Sequence, residues 1–127
     1  MDNERYTRGL EKLREVDGEL GDQVVAALDE ISPDLGRFLI EYPFGDIYSR
    51  PQLGLKDREL VTIAALAAMG NCQPQLKVHI NGALNVGWTR EEIVEVFVQL
   101  TVYAGFPAAL NAIFAAKEVF SDRAEAV

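Results

Sequence analysis

The residues best equipped for chemistry are a histidine and a cysteine near the middle of the chain. The sequence holds one histidine, His79, and one cysteine, Cys72, within NCQPQLKVHINGAL. Single residues of each kind provide neither a cluster of histidine and thiolate metal ligands nor a cysteine pair to exchange electrons. A glycine-rich phosphate-binding loop is also missing from the sequence. The pattern therefore predicts chemistry centred on His79, with no metal and no bound cofactor.

Cys72 lies at the predicted start of the helix that carries His79. Pro74 suits the first turn of that helix, because the N–H that proline lacks would be unpaired there in any case. Backbone donors and the helix dipole at such a position favour a thiolate. His79 follows after about two helical turns, so the two side chains can face one side. The alternative is an inert role for Cys72, because free cysteine is among the most buried residue types.

Glu59 is the acidic candidate, on the helix before His79. If the two helices are antiparallel, Glu59 lies about four residues deeper than the level opposite His79, roughly 6 to 9 Å at about 1.5 Å per residue. A direct bond between them then requires a helix tilt, and otherwise a water molecule links them. A glutamate early in a helix is also favoured by the dipole alone, so a structural role stays open.

Composition and charge narrow the classes of partner. The 127-residue chain carries a formal net charge of −8, and its lysines and arginines are scattered without a run. This charge opposes binding to nucleic acid and to anionic membrane surfaces. The longest apolar stretch, Leu60 to Met69, is far shorter than the roughly 20 residues that span a bilayer. The charged segment MDNERYTRGL is unlike a secretory signal and a lone cysteine forms no intrachain disulfide, so a cytoplasmic location is expected.

The hydrophobic periodicity is helical throughout and predicts an all-α fold. One domain is expected over residues 1–127, with its core at about 33–120 and a frayed polar tail at 121–127. The predicted breaks are Asp17-Gly18 between the first two helices, an N-cap at Ser32 before Pro33, an end or bend at Pro43, and a connecting loop with one short turn from Phe44 to Leu53.

The second half of the chain contains the most apolar helices. The segment from about Leu55 to Met69 is apolar on nearly every face, which predicts a buried helix covered in part by another subunit. Gly87 is expected to end the His79 helix, and Thr89 with Glu92 forms a capping box for the next one. In the last helix, the large residues are expected to face inward: Leu110, Ile113, Phe114 and Phe120.

Most of the chain, from about Tyr6 to Phe120, resembles the carboxymuconolactone decarboxylase family. The resemblance is carried by the segment LGLKDRELVTIAALAAMGNCQPQLKVHINGALNVGWTREEIVEVFVQLTVYAGFPAALNAIFAAKEVF, above all by HINGALNVGWTREEI and YAGFPAALNA. It implies a single-domain helical bundle of the alkylhydroperoxidase D-like kind. It also implies a homo-oligomer, usually a trimer or a hexamer.

The peroxidase branch of these proteins uses a CxxC motif followed four residues later by a histidine. Counted back from His79, Cys72 matches the first cysteine, but Gln75 occupies the place of the second. Without that thiol no disulfide can close within the site. A peroxidase that uses Cys72 with an external reductant is therefore the alternative function. A non-catalytic oligomeric binding protein of the same fold is the other.

The resemblance favours cofactor-free decarboxylation of a small anionic substrate, 4-carboxymuconolactone to 3-oxoadipate enol-lactone, or a related reaction. That substrate supplies its own electron sink, because the departing carboxylate is conjugated through a C=C bond to the lactone carbonyl. His79 is the candidate general acid, since imidazole titrates near neutral pH, and Glu59 would orient it. Arg50 is the candidate clamp for a substrate carboxylate, because guanidinium pairs bidentately with carboxylates, and Arg58 is a second.

Overall fold

A computed structural model describes residues 3–125, and every secondary-structure element in this range is a helix. The helices are α1 Glu4–Asp17, α2 Glu19–Asp29, α3 Pro33–Leu39, a π-helix Ile40–Ile47, α4 Leu55–Met69, α5 Gln73–Asn85, α6 Arg90–Tyr103 and α7 Phe106–Glu125. The prediction of an all-α protein is confirmed. The chain divides into two compact units after Leu55, and the expectation of a single domain stays a prediction.

The helix starts and breaks of the first unit follow the predicted local signals. Between α1 and α2, Gly18 adopts a φ of 57°, a backbone conformation that favours glycine. The Ser32 side chain accepts the Leu35 N–H at 3.2 Å and Pro33 occupies the first turn of α3. Both predicted boundaries are confirmed.

The π-helix corrects the expected loop. Residues 44–47 belong to this helix, so the predicted loop from Phe44 to Leu53 is wrong in its first part, while residues 48–53 form turns and bends. Pro43 lies inside the π-helix, and the Tyr48 N–H donates to the Pro43 carbonyl at 2.7 Å, five residues back. Proline lacks a donor and its ring conflicts with the carbonyl four residues before it. The wider turn of a π-helix accommodates the proline without ending the helical path.

Two glycines bring α1 and the π-helix into close contact. A Cβ atom on Gly9 would lie 2.0 Å from the Ile40 carbonyl oxygen, and one on Gly45 would lie 2.5 Å from the Arg5 carbonyl oxygen. No side chain fits at such distances. Glycine at both positions therefore permits backbone-to-backbone packing in the first unit.

The second unit is built around a core from four helices. Its buried members are Ile63, Ala67, Leu76, Ile80, Ala83, Ile93, Phe97, Leu100, Ala112, Ala115, Ala116 and Val119. Each helix contributes residues at the three- and four-residue spacing of one helical face. This core fixes α4 and α5, the two helices that carry Glu59 and His79.

Helices α4 and α7 bury fewer large side chains within the single chain than their apolar character suggests. Helix α4 buries only Glu59, Ile63 and Ala67, while Val61 is 61% exposed, so the expected cover by another subunit stays a prediction. In α7, Leu110 and Phe114 are exposed instead of facing inward, although Ile113 and Phe120 pack against the core. Alanines take the inward positions of α7, and the small Cβ groups let the helix approach its neighbours closely.

The last helix also extends further than expected. Helix α7 continues through Ser121 to Glu125, and the rest of the predicted tail, residues 126–127, lies outside the described range. Among the helices of residues 3–125, none combines the length and the apolar character needed to cross a membrane.

Candidate active site

His79 and Glu59 form a direct hydrogen-bonded pair between α5 and α4. The His79 Nδ1 atom lies 2.9 Å from Glu59 Oε1 and 3.2 Å from Oε2. The Glu59 side chain is fully buried, whereas that of His79 is 20% exposed. Of the two arrangements considered from the sequence, the direct bond is the one present, with no need for a bridging water.

The bond to Glu59 engages one particular nitrogen of the imidazole ring. A Glu59 carboxylate oxygen accepts from the Nδ1–H group, which holds the ring in one orientation. When the ring is protonated, the pair becomes an ion pair and the carboxylate stabilises the positive charge. A partly exposed ring held by a buried carboxylate can take up and release a proton without losing its orientation.

The turn between α4 and α5 follows the sequence signals. Gly70 ends α4 with a φ of 87°, and its N–H donates to the Leu66 carbonyl at 3.3 Å. Pro74 lies in the first turn of α5 as predicted. The Gln73 side chain donates to the Asn111 carbonyl at 3.0 Å, which ties the start of α5 to α7.

Cys72 occupies the N-cap position of α5. Its side chain is half-buried and forms no capping hydrogen bond with the helix. The thiol takes no part in the bonds between His79 and Glu59. A reactive role for Cys72 stays a prediction.

The two arginines expected to bind substrate lie in different parts of the chain. Arg58 is half-buried next to Glu59 in α4, and its carbonyl accepts the Thr62 hydroxyl at 2.8 Å. Arg50 is exposed and belongs to the first unit, where its backbone N–H donates to the Ile47 carbonyl at 3.1 Å. Substrate binding by either residue stays a prediction.

One contact of this site was not predicted from the sequence. The Trp88 Nε1–H group donates to the Lys56 carbonyl at 2.6 Å, one turn of α4 before Glu59. The Lys56 ammonium lies 4.5 Å from the centre of the same ring. The available signal was an aromatic side chain with a donor directly after the helix-ending Gly87, but sequence alone does not reveal its acceptor.

Comparison with known proteins identifies the class. The model of the carboxymuconolactone decarboxylase family matches residues 33–118. A 4-carboxymuconolactone decarboxylase of Acinetobacter baylyi is 37% identical over 122 residues, covering 95% of this chain and 90% of the relative. The chain therefore belongs to the carboxymuconolactone decarboxylase family.

Two further proteins are also similar to this chain. A nitrosuccinic acid decarboxylase of Metarhizium robertsii is 30% identical over 84 residues, covering 66% of this chain and 58% of the relative. An uncharacterised 15.0 kDa protein of Paracoccus denitrificans is 32% identical over 100 residues, covering 78% and 75%. Two of the three relatives are named as decarboxylases of different acids, so the chain has a decarboxylase-family role.

Proposed function

We propose that this protein is a cofactor-free decarboxylase of a small carboxylated compound, with 4-carboxymuconolactone as the first candidate substrate. The observation that carries the proposal is the partly exposed His79 ring, held through Nδ1 by the buried Glu59 carboxylate at 2.9 Å. The 37% identity to a 4-carboxymuconolactone decarboxylase over 95% of the chain supports this choice of substrate.

The reaction needs a proton donor and a place for negative charge. The bond between the departing carboxylate and the ring carbon breaks, CO₂ leaves, and the electron pair moves through the C=C bond toward the lactone oxygen. A proton then adds to the carbon next to the lactone carbonyl, which gives the enol-lactone. His79 Nε2 delivers this proton, Glu59 holds the imidazolium form before transfer, and water restores the proton afterwards.

The substrate also carries a carboxylate that stays in the product. We propose Arg50 as the group that binds it and Arg58 as a second cation for the substrate. The planar guanidinium group matches the two oxygens of a carboxylate, and holding the substrate in one orientation is a large part of catalysis when no cofactor is present. Arg58 is supported by its position next to Glu59 in α4.

The test is turnover by the purified protein. Release of CO₂ from 4-carboxymuconolactone is measured for the wild type, for His79→Gln and for Cys72→Ser, with nitrosuccinic acid as a second substrate. Removal of a general acid lowers kcat by about 10² to 10⁴-fold, which is the result expected for His79→Gln. Cys72→Ser should keep the wild-type rate.

Two outcomes would contradict the proposal. One is a wild-type protein that turns over neither acid, and the other is a His79→Gln variant as active as the wild type. Peroxide reduction abolished by Cys72→Ser would instead support the thiol peroxidase.

A further inference from the structure

Two connections join α4 to the end or the start of α5. One is the turn at residues 70–72, and the other is a side-chain contact of Trp88 near Glu59. The Trp88 indole N–H donates to the Lys56 carbonyl at 2.6 Å, and the Lys56 ammonium lies 4.5 Å from the ring centre. The same side chain therefore contacts both the backbone and the charged end of one α4 residue. An indole ring buries a large apolar surface while its N–H seeks an acceptor, which makes it suited to such a link.

The backbone after α5 fixes the position of the ring. Gly87 has a φ of 111°, its N–H donates to the Leu84 carbonyl at 3.2 Å, and the Trp88 N–H donates to the Ala83 carbonyl at 3.0 Å. These are the bonds of a helix end closed by a left-handed glycine. The indole also packs against the core of the second unit. Trp88 is thus held rigidly with respect to α5, the helix that carries His79.

The distance along α4 explains why this link matters for Glu59. Lys56 precedes Glu59 by three residues, about 4.5 Å along the helix axis at about 1.5 Å per residue. The turn that joins α4 to α5 begins after Met69, ten residues beyond Glu59 and about 15 Å along the same axis. Of these two connections, the Trp88 bond is therefore much the nearer to Glu59, and it holds the end of α4 opposite to the core residues Ile63 and Ala67.

We infer that Trp88 is a positioning residue for the Glu59–His79 pair: its indole N–H fixes the first turns of α4, so that the Glu59 carboxylate stays within hydrogen-bond distance of His79 Nδ1. Trp88 acts through Lys56 and α4, not on a substrate. The catalytic meaning of this inference rests on the proposed function, whereas the geometry can be tested without any substrate.

The chain offers convenient probes for this test, since it has one histidine and one tryptophan. Labelling these residue types with ¹⁵N gives ring signals that need no further assignment. At a pH high enough for the ring to be neutral, the bond to Glu59 predicts an imidazole protonated on Nδ1 alone, with distinct ¹⁵N shifts for its two nitrogens. The indole N–H should exchange with solvent more slowly than in free tryptophan, as expected for a donor held by the Lys56 carbonyl.

Trp88→Phe removes the indole donor and keeps an aromatic ring over Lys56. We expect this variant to lose the single Nδ1–H form, so that the two nitrogen shifts move toward each other as both tautomers become populated. Thr89→Ala is the matched control, because it weakens the start of α6 at the next residue and leaves the Lys56 carbonyl bond in place. Its histidine spectrum should equal that of the wild type.

Three results would overturn the inference: an unchanged Nδ1–H form in Trp88→Phe, the same spectral change in Thr89→Ala, or a wild-type indole N–H that exchanges as fast as free tryptophan. The last measurement needs no variant, so it decides the question even if Trp88→Phe does not fold. A protein with the expected spectra but no decarboxylation would count against the proposed function alone.

Discussion

A carboxylate removed from water costs on the order of several kcal/mol unless its charge is compensated. Glu59 has no exposed surface and lies against the Nδ1 atom of a ring that still reaches solvent. The His79 ring supplies a hydrogen-bond donor to this buried carboxylate. One contact therefore bears on both stability and the proposed catalysis, because a partner of the buried carboxylate is also the proposed proton donor.

Replacement of Glu59 by glutamine tests the contact at the residue scale. The amide keeps the size of the side chain but cannot stabilise an imidazolium ion. A hydrogen bond to a charged group is worth about 1.5 to 3 kcal/mol. At about 1.4 kcal/mol per tenfold change, kcat should fall by roughly 10- to 100-fold. Steady-state kinetics of decarboxylation measure the kcat of this variant.

Glu91→Gln is the control for this variant, since it makes the same chemical change at an exposed position of α6. Its kcat should match that of the wild type. Equal kcat values for Glu59→Gln and Glu91→Gln would contradict a catalytic role for the Glu59 charge and leave Glu59 a packing role.

The central pair of the site could be predicted from the sequence, but its geometry could not. His79 was identified because it is the one histidine in the chain, and Glu59 because it precedes it on the neighbouring helix. The direct 2.9 Å bond depends on the relative placement of two helices, which no local spacing determines. The Trp88 bond to Lys56 was not predicted either. Its acceptor is a backbone carbonyl, which every residue has, so no residue type in the sequence indicates it.

At the scale of elements, the contact between α1 and the π-helix sets a strict limit on side-chain size. Gly9→Ala would place a methyl group 2.0 Å from the Ile40 carbonyl oxygen, so one of the two backbones must move. Overpacking of this kind typically lowers the free energy of unfolding by about 1 to 3 kcal/mol. Urea denaturation followed by circular dichroism measures the change.

Gly36→Ala provides a control of opposite sign. Its added Cβ would meet no atom closer than 3.6 Å, and the residue lies inside α3. Alanine is favoured over glycine in a helix by about 1 kcal/mol, so this variant should be more stable than the wild type. A Gly9→Ala protein as stable as Gly36→Ala would disprove the close contact.

The capping box of α6 gives a prediction about pH. The hydrogen bond that the Thr89 backbone N–H donates to Glu92, at 3.0 Å, lowers the pKa of that carboxyl, and a bond with the Thr89 side chain adds to the effect. A carboxyl with a lowered pKa in the folded state stabilises the fold above its unfolded pKa, and the contribution is lost as the pH falls through the folded pKa.

Near neutral pH, Glu92→Gln should therefore have a lower free energy of unfolding than the wild type. This difference should shrink as the pH falls below about 4, which is near the ordinary pKa of glutamate. Thermal unfolding of both proteins across this pH range measures the difference. A gap that stays constant with pH would mean that the charge of Glu92 contributes nothing to the cap.

Elements with local signals were predicted well, and elements that depend on packing were not. The N-cap at Ser32, the left-handed Gly87 and the Thr89–Glu92 capping box all follow from residues close together in the chain. The π-helix does not, because a proline within a helical pattern usually indicates an end or a bend. Of the large side chains expected on the inward face of α7, Ile113 and Phe120 pack against the core, whereas Leu110 and Phe114 are exposed and alanines take most of the buried positions.

At the scale of the whole molecule, the second unit exposes apolar side chains that water solvates poorly. An α4/α6 groove of about 360 Å³ is lined by Leu60, Val61, Ala64, Val96, Gln99, Leu100 and Tyr103. Val102 and Phe106 are also exposed nearby in sequence. We propose that copies of this chain associate through this face, as expected from the apolar character of α4.

Val61→Glu should disrupt such an assembly, because Val61 lines the groove and a buried and unpaired carboxylate opposes association. Sedimentation velocity would show a smaller species than that of the wild type at equal concentration. Val61→Thr has a similar volume and no charge, so it should keep most of the assembly. A wild-type protein that sediments as a monomer would refute the proposed association, and the exposed side chains would then need another explanation.

The alanine face of α7 has a thermodynamic consequence. Alanine has no side-chain rotamers to lose, so packing Ala109, Ala112, Ala115 and Ala116 against the core restricts only the backbone. Leucine or phenylalanine at those places would add torsional entropy to the cost of ordering the longest helix of the chain. The exposed side chains of Leu110 and Phe114 instead keep most of their torsional freedom in the single chain, and they would lose it only if a partner surface covered them.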